Sequence, residues 1–322
     1  MREDRVYDVQ ERGVNQMKEK SAVHKGCIMS ALGGSCWAIA GVGGQFLFSE
    51  KGLNPEWIVA VRLTLAGLCL LLYLSYKKEK VFSVFQTKKD FCDVVLFGIL
   101  GAAGCQLTYF WSIQASNAVT ATFLCYMAPI FILGYTLFRE KRRPIKKEII
   151  SCVLVLMGVF LLATHGNVKT LQISSRALFW GILSAVMFVF YSVLPQRIMA
   201  KYPVMLISGW GMFIGGILSA LYFQIWNEQG VYDLESGIVF VIVWIFGTMF
   251  AYWLYLTGTK LAGPAKGSLL STVEPVISLL LSVIFLKEKM VWIDIVGFAC
   301  ILATTIILSL PNEKNSRDAH EP

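Results

Sequence analysis

Charge is scarce in this sequence: Asp, Glu, Lys and Arg together make up 16% of its 322 residues, against about 25% in soluble domains. Histidine is scarcer still. The three that occur, His24, His165 and His320, all fall in tails or a loop, which excludes a histidine proton relay inside an apolar segment. The eight cysteines form no CxxC pair and have no histidine nearby, so neither a zinc site nor a thiol redox couple is indicated. They read as small apolar packing residues. No GxxxxGK[ST] loop occurs, which excludes a built-in ATP engine. No metal or cofactor is expected.

What the chain has instead is apolar surface, 56% of residues and a mean hydropathy of +0.62. One globular core cannot hide that much. Apolar runs of roughly 20 residues, enough to cross a ~30 Å hydrocarbon layer, recur along almost the whole chain. They predict an all-α integral membrane protein with ten transmembrane helices at 26–48, 55–75, 91–113, 115–138, 148–164, 176–196, 203–224, 236–258, 262–286 and 291–310. Residues 1–25 are mixed-charge and too acidic for a signal peptide, so they read as a cytoplasmic N-terminal tail, with 311–322 as the C-terminal one.

The net charge of +8 does not point to nucleic acid, because the basic residues lie in short segments between apolar runs. Their meaning is topological. With the N-terminus inside, cytoplasmic segments hold 22 of the 29 Lys and Arg and the outer loops five. That asymmetry follows the positive-inside rule and puts both termini in the cytoplasm of a cell-membrane protein.

The chain also repeats itself. Aligning Pro129 with Pro275, an offset of 146, brings Tyr109 onto Tyr255, Gln106 onto Tyr252, Thr122 onto Ser268 and Leu124 onto Leu270. Trp37 likewise falls on Tyr191, and Pro55, Arg62 and Gly67 on Pro203, Trp210 and Gly215. Two halves are expected, 26–164 and 176–310, each of five spans. An odd count makes the second copy enter the membrane from the opposite side, giving two inverted five-helix repeats, an arrangement suited to alternating access.

The stretch Asn117–Arg143, with Pro129 in its helix and Phe138-Arg-Glu-Lys141 at its end, resembles one signature segment of EamA domains. Gly263–Lys289, with Glu274-Pro275 and Leu286-Lys-Glu-Lys289, resembles the other. These domains belong to the drug/metabolite transporter superfamily, and Arg62 also fits their pattern. The resemblance covers residues 26–310. It implies a carrier with a central cavity between the halves, helices 5 and 10 at the periphery, and amino acids, other metabolites or drugs as substrates, often exported. The segment from Pro129 to Glu140 is two residues shorter than that from Pro275 to Glu288, a departure at the end of helix 4.

Glu274 carries the most information. It lies some 12 residues, or ~18 Å, from the cytoplasmic end of its helix, too far to snorkel. A midplane carboxylate costs ~2.5–3.5 kcal/mol, so it must face a wet cavity, meet a cation or be protonated. Pro275 frees the carbonyl of Ser271 and Pro129 that of Cys125, which opens each helix near its middle. The candidate substrate site comprises Glu274 with Trp37, Gln45, Gln106, Tyr109, Tyr126, Tyr191 and Tyr252. Coupling or gating falls to Glu274, Lys266, Arg62, Pro129 and Pro275. For Arg62, about 10 Å from the outer end of helix 2, anchorage toward that interface is the simpler role, and for Lys266 snorkelling is.

These residues read as a secondary transporter in the lipid bilayer moving a small-molecule substrate, most simply an amino acid or related solute, with export as the direction that the resemblance implies. Proton coupling and a homodimer are left open. A receptor without flux is the alternative, and a membrane-embedded enzyme a weaker one, because the polar groups are too dispersed for catalysis.

Overall fold

In the computed structural model, residues 2–164, 174–227, 230–285, 287 and 292–309 are described. The loop around His165 and the tail 311–322 with His320 lie outside them. Helices account for nearly all of the described residues, and none of these residues forms a strand. That follows from the solvent: in hydrocarbon each backbone N–H and C=O must be satisfied within its own segment.

The helical runs are α1 (Arg2–Ser49), α2 (Pro55–Tyr76), α3 (Lys88–Ala115), α4 in two segments (Ala118–Cys125 and Ala128–Glu140), α5 (Lys146–Thr164), α6 (Ser175–Met199), α7 (Val204–Phe223), α8 (Leu234–Ala262), α9 (Pro264–Phe285) and α10 (Trp292–Ser309). Among the described residues, seven stretches are long and apolar enough to cross a membrane: Lys20–Ser49 of α1, and α2, α3, α6, α7, α8 and α9. The other three runs, α4, α5 and α10, stand where the sequence places its remaining spans. At the N-terminus the structure departs from expectation. The polar segment continues α1 as one helix from Arg2, where a tail was expected up to residue 25.

Local chemistry sets the starts. Pro55 is the first residue of α2, Thr87 Oγ1 accepts from the Asp90 N–H to cap α3, and Ser174 Oγ does the same for Ala177 at α6. Asp233 and Ser236 form a reciprocal capping box at α8. Each cap is worth about 1 kcal/mol. Large apolar side chains such as Leu72, Ile149, Val153, Met157 and Leu221 remain exposed on outer faces, where lipid replaces the neighbours they lack.

Packing joins the first half to the second. α2 lies along α7, α1 along α8 and against α9, α6 along α3, and α5 along α10, while α4 meets α6 and α9. The crossings are as close as backbones allow: a Cβ at Gly216 would stand 2.5 Å from the Thr64 nitrogen, and one at Gly67 would fall on the Phe213 nitrogen. Without a hydrophobic force between helices in lipid, such close approach is what holds them together.

The irregular places recur at the 146-residue offset. α3 turns π-helical over Phe97–Gly104 and α8 over Ile245–Phe250. α4 breaks between Cys125 and Ala128, and α9 passes through a 3₁₀ turn at Ser271–Val273. π-helical segments often mark functional sites. Here the irregularities of α3, α4 and α9 border one point, and that of α8 packs behind it against Ala40 of α1.

Candidate functional site

That point is a cavity between α1, α3, α4, α6 and α9, lined by Trp37, Ala40, Cys105, Gln106, Tyr109, Cys125, Phe188, Tyr191 and Glu274. Its volume is about 30 Å³, room for about two waters at ~10–15 Å³ each. A metabolite pocket measures ~300 Å³ or more, so the helices must part to admit one.

Glu274 opens the second segment of α9, just after the 3₁₀ turn, and is 8% exposed. The Tyr126 hydroxyl lies 2.9 Å from its Oε2 and 2.8 Å from the Ser271 carbonyl oxygen. One hydroxyl proton faces two acceptors. A proton on Glu274 would complete both hydrogen bonds, since the carbonyl can only accept. Tyr109 also reaches this carboxylate, its hydroxyl 2.6 Å from Thr122 Oγ1. Among the described residues Glu274 makes no ion pair.

Arg62 of α2 is fully buried. The sequence suggests a side chain reaching for the outer interface. Instead it turns inward: Nη1 donates to Thr248 Oγ1 at 3.2 Å, Nη2 donates to Gln106 Oε1, and the guanidinium sits 4.4 Å above the Phe110 ring. Thr248 belongs to the π-helical turn of α8, which is therefore where Arg62 ties the halves together. Its partners are neutral, and Nε has none among the described residues. Because arginine only donates, the Gln106 oxygen must face it, and the Gln106 NH₂ is left for Tyr252 and the cavity.

Two further donors wait at the cavity. Trp37 Nε1 and the Tyr191 hydroxyl are buried without a hydrogen-bond partner among the described residues. Buried polar groups are rarely left so. Trp37 meets Phe188 at 5.6 Å and Tyr191 at 5.8 Å in edge-to-face contacts and Tyr255 at 4.8 Å in a tilted one, centroid to centroid. The result is an apolar box with a lone carboxyl on one wall and unspent donors on others, a surface for a small polar solute with a flat or apolar body.

Of the residues singled out from sequence, Trp37, Gln106, Tyr109, Tyr191 and Glu274 line this cavity together. Tyr126 reaches it through Glu274. Tyr252 lies behind it, 6.3 Å from Trp37, its hydroxyl donating to the Ala102 carbonyl. Gln45 does not take part. Its Oε1 accepts from the Ala118 N–H and so caps α4. Lys266 is exposed at the start of α9 near Cys27 and Glu148. Pro275 is the second residue of the second segment of α9, and the Ser271 carbonyl that it deprives of an i+4 donor accepts from both the Glu274 N–H and the Tyr126 hydroxyl, which leaves no lone pair for a ligand. Pro129 holds the corresponding place in α4.

Cys105 and Cys125, read from sequence as packing residues, line the cavity, as does Phe188. Nothing in a lone thiol or phenyl ring announces that. A signal did exist for Tyr255, which donates to or accepts from Ser192 at 2.7 Å and was visible as the repeat counterpart of Tyr109. Among the described residues no group of three His, Cys, Asp or Glu is placed to hold a metal ion.

The comparisons with known proteins agree with this geometry. The sequence family described as the EamA-like transporter family matches residues 24–164 and again 175–310. The chain is 33% identical over 301 residues to "Uncharacterized inner membrane transporter YicL" of Salmonella typhimurium, covering 92% of this chain and 99% of that one. It is 22% identical over 293 residues to "Uncharacterized transporter YcbK" of Bacillus subtilis, 89% and 93% of the two chains. A solved crystal structure with 20% sequence identity superposes with a TM-score of 0.71 over 94% of this chain and 99% of its own, which establishes the fold.

Proposed function

The chain belongs to the EamA-like transporter family, and from that premise we propose that it is a secondary carrier for a small zwitterionic or amine-bearing metabolite, most simply an amino acid, which it exports. It is a multi-pass membrane protein. In the proposed mechanism ten spans form two inverted five-helix halves, both termini lie in the cytoplasm, and the halves rock about the cavity to expose it to each side in turn. The family's two matches and the irregularities recurring at one offset support that symmetry.

The observation that carries the reading is Glu274, an acid buried beside a cavity with no cation against it among the described residues. A carboxylate there calls for an ammonium from the ligand or a proton from the medium. The solute's amine replaces that proton at Glu274, which couples the two movements. Its acceptor oxygens meet Trp37 Nε1, the Tyr191 hydroxyl and the Gln106 amide. Arg62 acts behind them, holding Gln106 with its NH₂ toward the site.

The test is counterflow in liposomes holding purified protein and a panel of amino acids and small organic ions. Saturable exchange of amine-bearing solutes is expected. A panel that yields no flux, while solutes still stabilise the protein, would favour a receptor.

A further inference from the structure

We infer that the two faces of this carrier are closed by a matched pair of ionic clamps, Lys51 with Asp233 and Glu235 at one face, and Arg197 and Lys201 with Asp90 and Asp93 at the other, which open in turn during transport. The inference rests on the alternating-access reading above and deepens it.

Each clamp crosses from one half of the chain to the other. Lys51, in the connection between α1 and α2, places Nζ 2.7 Å from Asp233 and 2.7 Å from Glu235 at the start of α8. Its carbonyl accepts from the Val231 N–H at 2.9 Å, so the backbone joins in. At the opposite face the roles are exchanged. Arg197, at the end of α6, reaches Asp90 at 2.6 Å and Asp93 at 2.5 Å on the first turns of α3. Lys201, just before α7, stands 3.2 Å from Asp90, and so does the Tyr202 hydroxyl.

The two sets correspond through the internal repeat. The connection before α2 matches the connection before α7, and both bring the cation. The start of α8 matches the start of α3, and both bring the acids. Asp233 and Thr87, 146 residues apart, even hold the same N-cap position. Acids at a helix N-terminus stay favourable when their partner leaves, because the helix dipole attracts them.

Energetics favour a gate over a staple. The acids of the Lys51 clamp and the cations of the Asp90 clamp are partly exposed, and such pairs contribute little to stability, so they can be broken and remade at every turnover. The buried Asp90 keeps hydrogen bonds from the Thr87 and Tyr202 hydroxyls. Both clamps are shut in this structure, in keeping with a central cavity that has room only for water. Glue between loops would need no such correspondence of elements, although the acids themselves sit at different positions along the two helix starts.

The cavity thiols Cys105 and Cys125 supply the readout. The full chain in right-side-out and in inverted membrane vesicles is treated with a small, charged, membrane-impermeant methanethiosulfonate, and modification of each cysteine is followed by mass spectrometry. Asp90→Asn with Asp93→Asn should raise labelling of the cavity thiols from the Asp90 face about fivefold, the scale of one lost ion pair, and lower it from the other face. Asp233→Asn with Glu235→Gln should do the reverse. The exchanged pair Lys51→Asp with Asp233→Lys should return labelling toward the wild-type pattern. Equal gains from both faces, or no gain from either, would overturn the clamps whether or not counterflow persists. Loss of wild-type counterflow would sink the carrier reading and leave this readout intact.

Discussion

Tyr126 of α4 and Glu274 of α9 meet hydroxyl to carboxylate at 2.9 Å, although 148 residues separate them in the chain. Each sits at the interruption of its helix, and the interruptions hold the same place in the two halves. A side chain of one half thus joins the interrupted backbone of the other: the Ser271 carbonyl, which Pro275 deprives of its i+4 donor, accepts from the Glu274 N–H in the 3₁₀ turn and from the Tyr126 hydroxyl at 2.8 Å. This joint places the buried acid at the cavity.

Arg62→Met should separate function from stability. The native guanidinium is fully buried among neutral partners, and apolar replacement of buried charge is commonly neutral or stabilising by ~1–4 kcal/mol. The melting temperature in detergent is expected to hold or rise. Transport should fall about tenfold as Gln106 loses its orientation, the scale of one charge-assisted hydrogen bond. A large loss of stability would show that Arg62 is a structural anchor.

Trp37→Phe removes a donor that has no hydrogen-bond partner among the described residues. Stability should change little, whereas the half-saturation constant of the transported solute should rise about tenfold, one hydrogen bond's worth. Titration of counterflow against solute concentration measures it. An unchanged constant would remove Trp37 from the site.

Gly67→Ala should destabilise the protein by ~1–3 kcal/mol, because the added Cβ falls on the Phe213 backbone and α2 must back away from α7. Gly134→Ala, where a Cβ meets nothing within 4 Å, is the control and should be neutral or slightly stabilising. Thermal unfolding in detergent compares the two.

The Lys51 clamp should persist through the whole physiological pH range. Hydrogen bonding from Lys51, then from the Ser236 backbone, holds the Asp233 carboxyl at about 2, below its ordinary 3.8. A depressed pKa gives a contribution present above 3.8 and lost as pH falls through about 2. Labelling of Cys105 and Cys125 from the Lys51 face should therefore stay flat from about pH 8 to pH 5. A rise near neutrality would assign the closure of that face to another group.

The course of the chain was legible wherever lipid imposes a strict demand. Apolar runs of the right length gave the helices, and Glu274 declared itself because few sites can hold an acid among acyl chains. Trp37, Gln106 and Tyr191 followed from polar atoms set deep within apolar runs. Other features depend on contacts that no local pattern encodes. Gln45 sits among the same kinds of neighbours as the site residues, yet it caps α4 because that helix happens to begin beside it. The direction of Arg62 was decided by the vacancy between Gln106 and Thr248, two residues far away in sequence. The π-helical turns at Phe97–Gly104 and Ile245–Phe250 are written in ordinary helix formers and glycine. The N-terminal helix from Arg2 has no apolar stripe to announce it.

The central claim is that Glu274 holds the solute's amine or the coupled proton. It is tested most directly by counterflow through Glu274→Gln beside the wild type, from about pH 5.5 to pH 8.5, with folding matched by melting temperature. The account predicts wild-type exchange that varies with pH and a variant whose exchange drops at least about tenfold and loses that variation. A variant that transports at the wild-type rate with the wild-type pH profile would contradict it.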